Sequence, residues 1–367
     1  MTAPDPFAPT VRGLVEPDPV RIALRARGPV VEVVAPAGGP AWIVTREDLG
    51  REVLADPRIV KDPAWAPEDW DRRTAGLEPP AAAQLSLTTL DGEPHAALRR
   101  AHAPLLSARR MQERAGRIAA IARDLLAALP PGPVDLMADF TTRYPLSVLF
   151  DLLDVPFDRL DRAAGACRAM VDGDHAAVGA FMDVAGAALV DGRAGLAVEL
   201  RSRLDVPEDD LRYLLFALLF AGQLTTDSAL GVLLAHVLDG DPATAGELVD
   251  DVLRRHPPAP FTLWRFTTTE VELAGVRLPA RAPVLVDIAG IGTDPDRPDG
   301  PDLAFGAGPH YCIGAQLARV ELVAVVEVLR ADFPGARLAV PFAELRQRGF
   351  GDVQGGRLTA LPAVLRP

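Results

Sequence analysis

Phe305-Gly306-Ala307-Gly308-Pro309-His310-Tyr311-Cys312-Ile313-Gly314 decides how this chain is read. It sets one cysteine in a glycine-rich loop, and a helical pattern follows at once in Ala315, Leu317, Ala318, Leu322, Val325, Val326 and Leu329. Glycines at 306, 308 and 314 let the backbone turn tightly and approach a flat ligand where a Cβ would clash. Cys312 then stands at a helix N-terminus, where free N–H groups and the macrodipole favour a thiolate. A thiolate held open beneath a planar group is the geometry of a haem-iron ligand. The alternative is a small buried loop cysteine. A lone Cys-Gly pair would suit that alternative; the full Phe-Gly-x-Gly-x-His-x-Cys-x-Gly pattern does not.

With 367 residues, 49% of them hydrophobic, the chain can bury a substantial core, and its length alone would allow two domains. Cys167 and Cys312 are the only cysteines, which excludes a disulfide framework and points to a reducing compartment. Residues 1–7 lack the charged-then-apolar pattern of a leader. The apolar run from Leu214 to Ala221 is far short of a bilayer span and gives way to Gln223, Thr225, Thr226 and Asp227, so no membrane anchor is expected. A net charge of −12 argues against a nucleic-acid partner. Lys61 is the only lysine, so any basic docking surface must be built from arginine. These features predict a soluble, cytoplasmic, globular protein.

No repeat, heptad array or low-complexity linker interrupts the chain. Residues 28–60 predict short strands, Val30 to Val34 and Trp42 to Val44, around a turn at Gly38-Gly39-Pro40. Residues 94–255 predict a helical body. It breaks near Leu106-Ser107, carries one long helix from about Pro207 to Leu238, and ends in a helix stopped by Pro257-Pro258. Residues 261–314 combine strand-like segments (Phe261 to Thr267, Val271 to Leu273, Pro283 to Val286) with the cysteine loop, and 315–367 predict a helix and closing strands. The expected class is mainly α with a minor β region (α+β); without βαβ alternation, a parallel α/β sheet is disfavoured.

The cysteine loop resembles the haem-binding signature of the cytochrome P450 family, and four further segments extend the resemblance over nearly the whole chain. His95 and Arg99 stand at i and i+4 on one helix face, after the run Asp91-Gly-Glu-Pro. On the resemblance they bind a haem propionate, an anion that arginine can hold bidentately; on spacing alone they are a chance pair on a solvated face. Arg265 is a charge in an otherwise uncharged strand pattern and needs a partner. It matches the family's second propionate donor and His310 a third, with an edge-strand charge and an ordinary loop histidine as the alternatives. Asp251 and Arg254 occupy the place of the family's bracing Glu-x-x-Arg pair, the acid one methylene shorter; otherwise they form a weak surface pair. Arg297 is the one arginine left in the short preceding loop to complete it.

Ala221-Gly222-Gln223-Leu224-Thr225-Thr226 resembles the family's oxygen-binding kink, where a widened helical turn admits dioxygen. A mid-helix glycine followed by two threonines suits such a distortion, and a small-residue packing notch is the plain alternative. Leu224 stands where the family has an acid, leaving Thr225 to hydrogen-bond bound oxygen.

The resemblance implies a single haem-thiolate domain over 1–367, of triangular shape, with haem b between the long helix and the helix after Cys312. Phe305, Gly306, Gly314, Ala221 and Gly222 would join the cofactor's surroundings. Phe220, Ala259, Phe261 and Thr262 would line a substrate pocket for a largely hydrophobic small molecule. It implies a monomeric monooxygenase in secondary-metabolite tailoring, supplied with electrons by a ferredoxin and reductase. Arg100, Arg109 and Arg110 would offer that donor a basic face. Leu224 keeps two alternatives open: non-hydroxylating chemistry (coupling, cyclisation, desaturation), or a haem-binding protein without catalysis.

Overall fold

The computed structural model describes residues 5–171, 178–192, 194–298, 300–351 and 355–366. The first four residues of the stretch searched for a leader lie outside it. The chain gathers into two compact units. One comprises Met1–Ala97, Asp251–Cys312 and Gln347–Gly356, and the other Leu98–Asp250, Ile313–Arg346 and Arg357–Pro367.

The first unit is organised by a five-stranded sheet. Val30–Val34 and Pro40–Val44 pair antiparallel, and the chain turns between them through Gly38 and Gly39, at φ +92° and +72°. Pro40–Val44 runs parallel to Pro283–Val286, which pairs with Arg265–Thr267, and Ile59–Val60 closes the edge. Val44, Val284 and Val286 pack into one core and Ile43, Leu285 and Phe266 into another, so the central strands are buried on both faces. That explains their unbroken apolar runs, and each such side chain contributes about 1.5–3 kcal/mol by burial. Arg265 is the exception, a charge 4% exposed in an interior strand. The strand expected from Phe261 is shorter, only Arg265–Thr267. Phe261 turns into the core, and Thr262 exchanges bonds with Val286, its N–H donating and its hydroxyl accepting.

The second unit is helical. Glu208–Leu238 begins after Pro207 with three acids in its first turn, which complement the helix dipole. It packs on Arg143–Leu153, Val178–Val190 and Ala315–Asp332, and the last of these packs on Ala108–Ala127. The break expected near Leu106 is a 3-10 turn, Ala103–Leu106, which Pro104 starts. A small sheet joins Arg337–Leu338, Pro362–Val364 and Pro133–Asp135. Among the described residues one helix, Glu208–Leu238, is long and apolar enough to cross a membrane, because its apolar character resumes after Asp227. More than half of that stretch is buried within the protein, as in a core helix.

Candidate active site

The cysteine loop owes its shape to two of its three glycines. Gly306 and Gly308 adopt φ +71° and +68°, and a Cβ at Gly308 would lie 2.6 Å from the Leu54 carbonyl oxygen. Gly314, at φ −86°, needs no glycine freedom and instead caps the N-terminus of Ala315–Asp332, contrary to expectation. The Cys312 N–H donates to the Phe305 carbonyl at 2.9 Å, closing the loop and leaving the Cys312 side chain exposed. The Phe305 ring tilts against Tyr311 at 6.3 Å. Cys167, by contrast, is buried, and burial followed by the nearby Asp227 charge pushes its thiol far up.

In the same unit four residues distant in sequence converge. The His95 and His310 rings stack at 3.9 Å, 27° from parallel. His310 Nε2 donates to Asp91 Oδ1 at 3.1 Å. Burial holds this imidazole below its usual pKa, opposed by the Asp91 bond. Burial raises the Asp91 carboxyl, but bonds from His310 and from the Lys61 backbone N–H outweigh it and the net shift is downward. Arg265 Nη1 donates to the Ile59 carbonyl at 3.4 Å, while Nε is buried with no hydrogen-bond partner among the described residues. Burial, against the pull of Asp91, lowers Arg265 to about 10. Arg99 follows His95 by one turn on Gly92–His102 and is partly exposed. Sequence reasoning overlooked Lys61 and Asp91. A solitary lysine just after an apolar strand was the available signal.

On the long helix of the second unit, the Thr225 hydroxyl donates to the Ala221 carbonyl at 2.7 Å. The helix is α-helical throughout, without the widened turn expected there. A Cβ on Gly222 would press on both Leu149 methyl groups at 3.3 Å, so this glycine lets two helices approach closely. Leu224 is half-buried. Gln223 is buried and donates to Asp227 Oδ2 at 3.3 Å. Thr142 donates to the same oxygen at 3.0 Å, and Arg357 reaches Oδ1 at 3.4 Å. Thr226 donates to Glu321 Oε2 at 3.5 Å, and the Tyr144 hydroxyl to the Glu321 backbone carbonyl at 2.9 Å.

Glu321 is 2% exposed, and its Oε1 has no hydrogen-bond partner among the described residues. Burial raises its pKa well above the usual value, with the Thr226 bond opposing, and favours the neutral acid. A group whose folded pKa is raised contributes its full stability below its unfolded pKa, about 4.3. That contribution is lost as pH rises toward the folded value, by at most about 1.4 kcal/mol per pH unit. Glu321→Gln is therefore expected to match wild-type stability near pH 4.5 and exceed it at pH 8. Urea unfolding at both pH values checks this, and a pH-independent difference would show that Glu321 is ionised in the folded protein.

The remaining expected residues are dispersed among other tasks. Arg254 bonds to Asp251 Oδ1 at 2.7 Å and to the Gly292 carbonyl at 2.8 Å. Arg255 also pairs with Asp251. Arg297 does not complete this pair; it meets Glu47 Oε2 at 2.7 Å. Phe220 stacks on Phe216 at 5.7 Å and meets Phe181 edge-on, half-buried. Phe261 lies in the core under the Arg21 guanidinium, 4.0 Å from the ring centre, and is not free to line a pocket. The Thr262 hydroxyl is held by Val286, and Ala259 is half-buried. Of the arginines expected to form a basic face, Arg110 pairs with Glu199 and Arg109 lies 3.7 Å from Glu113, which reduces that face.

No family model matches the chain. It is 43% identical to cytochrome P-450 monooxygenase DoxA of Streptomyces sp. (strain C5), covering 99% of this chain and 98% of that protein. It is 33% identical to a vitamin D(3) 25-hydroxylase of Pseudonocardia autotrophica, covering 96% and 94%. In three dimensions it is similar to CxnD, a P450 for C–S bond formation in chuangxinmycin biosynthesis. The TM-score is 0.81 at 25% identity, over 96% and 95% of the two chains. The chain belongs to the cytochrome P450 family. It is a haem-dependent oxidoreductase of monooxygenase type, working with a small-molecule substrate and a redox partner. The expected fold class, mainly α with a minor β region, is the observed one.

The first unit suits such a cofactor. Arg265 and Lys61 are buried, Arg265 keeps an orphan donor, and two imidazoles stack beside them. Buried positive charge of this kind calls for an anionic partner, and a porphyrin that carries carboxylates supplies one.

Proposed function

We propose that the chain holds haem b with Cys312 as the iron ligand and oxidises a largely hydrophobic small molecule in secondary-metabolite tailoring. The observation that carries this reading is the buried Arg265, whose Nε has no hydrogen-bond partner among the described residues, together with the stacked His95 and His310 rings in the unit that also presents the Cys312 side chain. Haem, when bound, supplies the iron centre at which electrons and dioxygen meet. The chain's own residues do the rest. His95, Arg99, Arg265 and His310 fix the carboxylates, and the 306–312 loop presents the thiolate. Thr225 and Thr226 hold protons on the long helix, while Leu224 keeps the acid position apolar. Phe220 and Ala259 offer apolar contact to substrate. The enzyme acts as a cytoplasmic monomer, with a ferredoxin and its reductase as donors. Haem-reconstituted protein, reduced under carbon monoxide, should absorb where thiolate-ligated haem does; a histidine-type band would overturn the reading.

Arg265→Ala and Arg99→Ala each remove a donor from a buried carboxylate, a loss of about 1–3 kcal/mol. Haem should leave each variant roughly 5- to 150-fold more readily on dilution. Unchanged retention in both would show that these arginines serve another purpose.

Leu224 favours a second reading, oxidation without oxygen insertion, and the structurally similar CxnD is a P450 for C–S bond formation. Turnover under isotopically labelled dioxygen separates the two: label in the product supports monooxygenation, and its absence supports coupling or ring formation.

A further inference from the structure

Lys61 is 9% exposed, and its position follows from strand register. Ile59 pairs with Thr267 and Val60 with Phe266 in the antiparallel edge of the five-stranded sheet. Extending that register by one residue sets Lys61 opposite Arg265, and directly opposed residues share a face. Two like charges opposed in this way repel, more so when buried. The Lys61 backbone N–H donates to Asp91 Oδ2 at 2.7 Å, tying this strand end to the loop that enters the His95 helix.

The charged and titratable groups around Lys61 are Arg265 on the neighbouring strand, Glu78 and Asp91 on the loops, and His310 before the cysteine. Both acids are already engaged. Asp91 accepts from His310 and the Lys61 backbone, and Glu78 from Ser86 at 3.0 Å and from Thr88. Burial first, then Arg265, lowers the ammonium to about 7 despite Glu78 and Asp91. A lysine buried for a salt bridge with those acids would be raised instead. Both carboxylates are committed to other donors, and neither bonds to the Lys61 ammonium among the described residues.

We propose that Lys61 is a binding residue for the cofactor carboxylates, an ammonium beside Arg265 and the stacked His95 and His310, a role that rests on the haem reading above. A carboxylate arriving beside Lys61 raises its affinity for a proton. Below pH 7 the ammonium is already formed, and haem affinity owes nothing to proton uptake there. Above about pH 7 a proton must be taken up with the cofactor, so affinity falls by up to about tenfold per pH unit until the bound-state pKa is reached.

The test compares wild type, Lys61→Met and Lys61→Arg, loaded with iron protoporphyrin IX or with its dimethyl ester. Transfer of the haem to a scavenging apoprotein is followed from pH 6.5 to 9. At pH 6.5 Lys61→Met should lose the diacid about tenfold or more faster than wild type, and the difference should shrink toward pH 9. With the diester the two proteins should behave alike, because no carboxylate remains to bind. Lys61→Arg should retain the diacid without the alkaline slope, since guanidinium stays charged throughout. Equal retention of the diacid, a deficit that persists with the diester, or an unchanged slope in Lys61→Arg would each overturn the assignment. Wild type that never shows a thiolate-type band would overturn the haem reading itself, a different failure with a different signature.

Discussion

Cys312→Ser is expected to abolish the thiolate band of the reduced carbon-monoxide complex and to reduce turnover to background while leaving the apoprotein folded. The loop is shaped by its backbone: positive φ at Gly306 and Gly308 and the bond from the Cys312 N–H to the Phe305 carbonyl. Serine keeps all of these. What it loses is an anionic sulfur, because a hydroxyl stays protonated where a thiol at a helix N-terminus ionises readily. Cys167 cannot substitute, since burial keeps its thiol protonated. Circular dichroism of the variant should superimpose on wild type, and its haem content should fall. A surviving thiolate-type band would mean that Cys312 is not the ligand.

The sheet of the first unit was legible because its interior strands are apolar on both faces, and Arg265 stood out as the one charge among those interior strands, Glu32 lying on an edge strand. Contacts made by register and by folding back were not. Nothing in spacing reveals that His310 stacks on His95, or that Lys61 falls opposite Arg265 when the Ile59–Val60 pairing is extended. Phe261 shows the opposite difficulty: an apolar residue after a Pro-Pro break suits a pocket or a core equally, and only its contacts with Phe7 and Arg21 decide. Glu321 was readable but unread. Leu317 and Val325 stand four residues to either side, so the acid lies on the buried face of its helix. Leu224 was legible as a departure, and its consequence is the larger of the chemical questions.

Leu224→Asp and Leu224→Glu are expected to raise the ratio of product to reductant consumed with a generic apolar substrate. A placed general acid typically contributes about 10²–10⁴-fold, and this turn of the helix has none at the position before Thr225. The Thr225 hydroxyl donates back to the Ala221 carbonyl, so its oxygen can accept a hydrogen bond from water or substrate, but no acid bonds to it among the described residues. Gln223 lies about 100° round the helix and is occupied with Asp227. Asp227 is engaged with Thr142, Gln223 and Arg357. Coupling in the wild type should therefore depend strongly on whether the substrate brings a polar group of its own, and the acidic variants should weaken that dependence. The measurement is product formed per reductant oxidised, for wild type and both variants, with a polar-substituted substrate and its apolar analogue. If the wild type couples equally well with both, Leu224 does not limit proton supply. Glu321, buried in its neutral form and reached from this helix through Thr226 at 3.5 Å, is then the next side chain to replace.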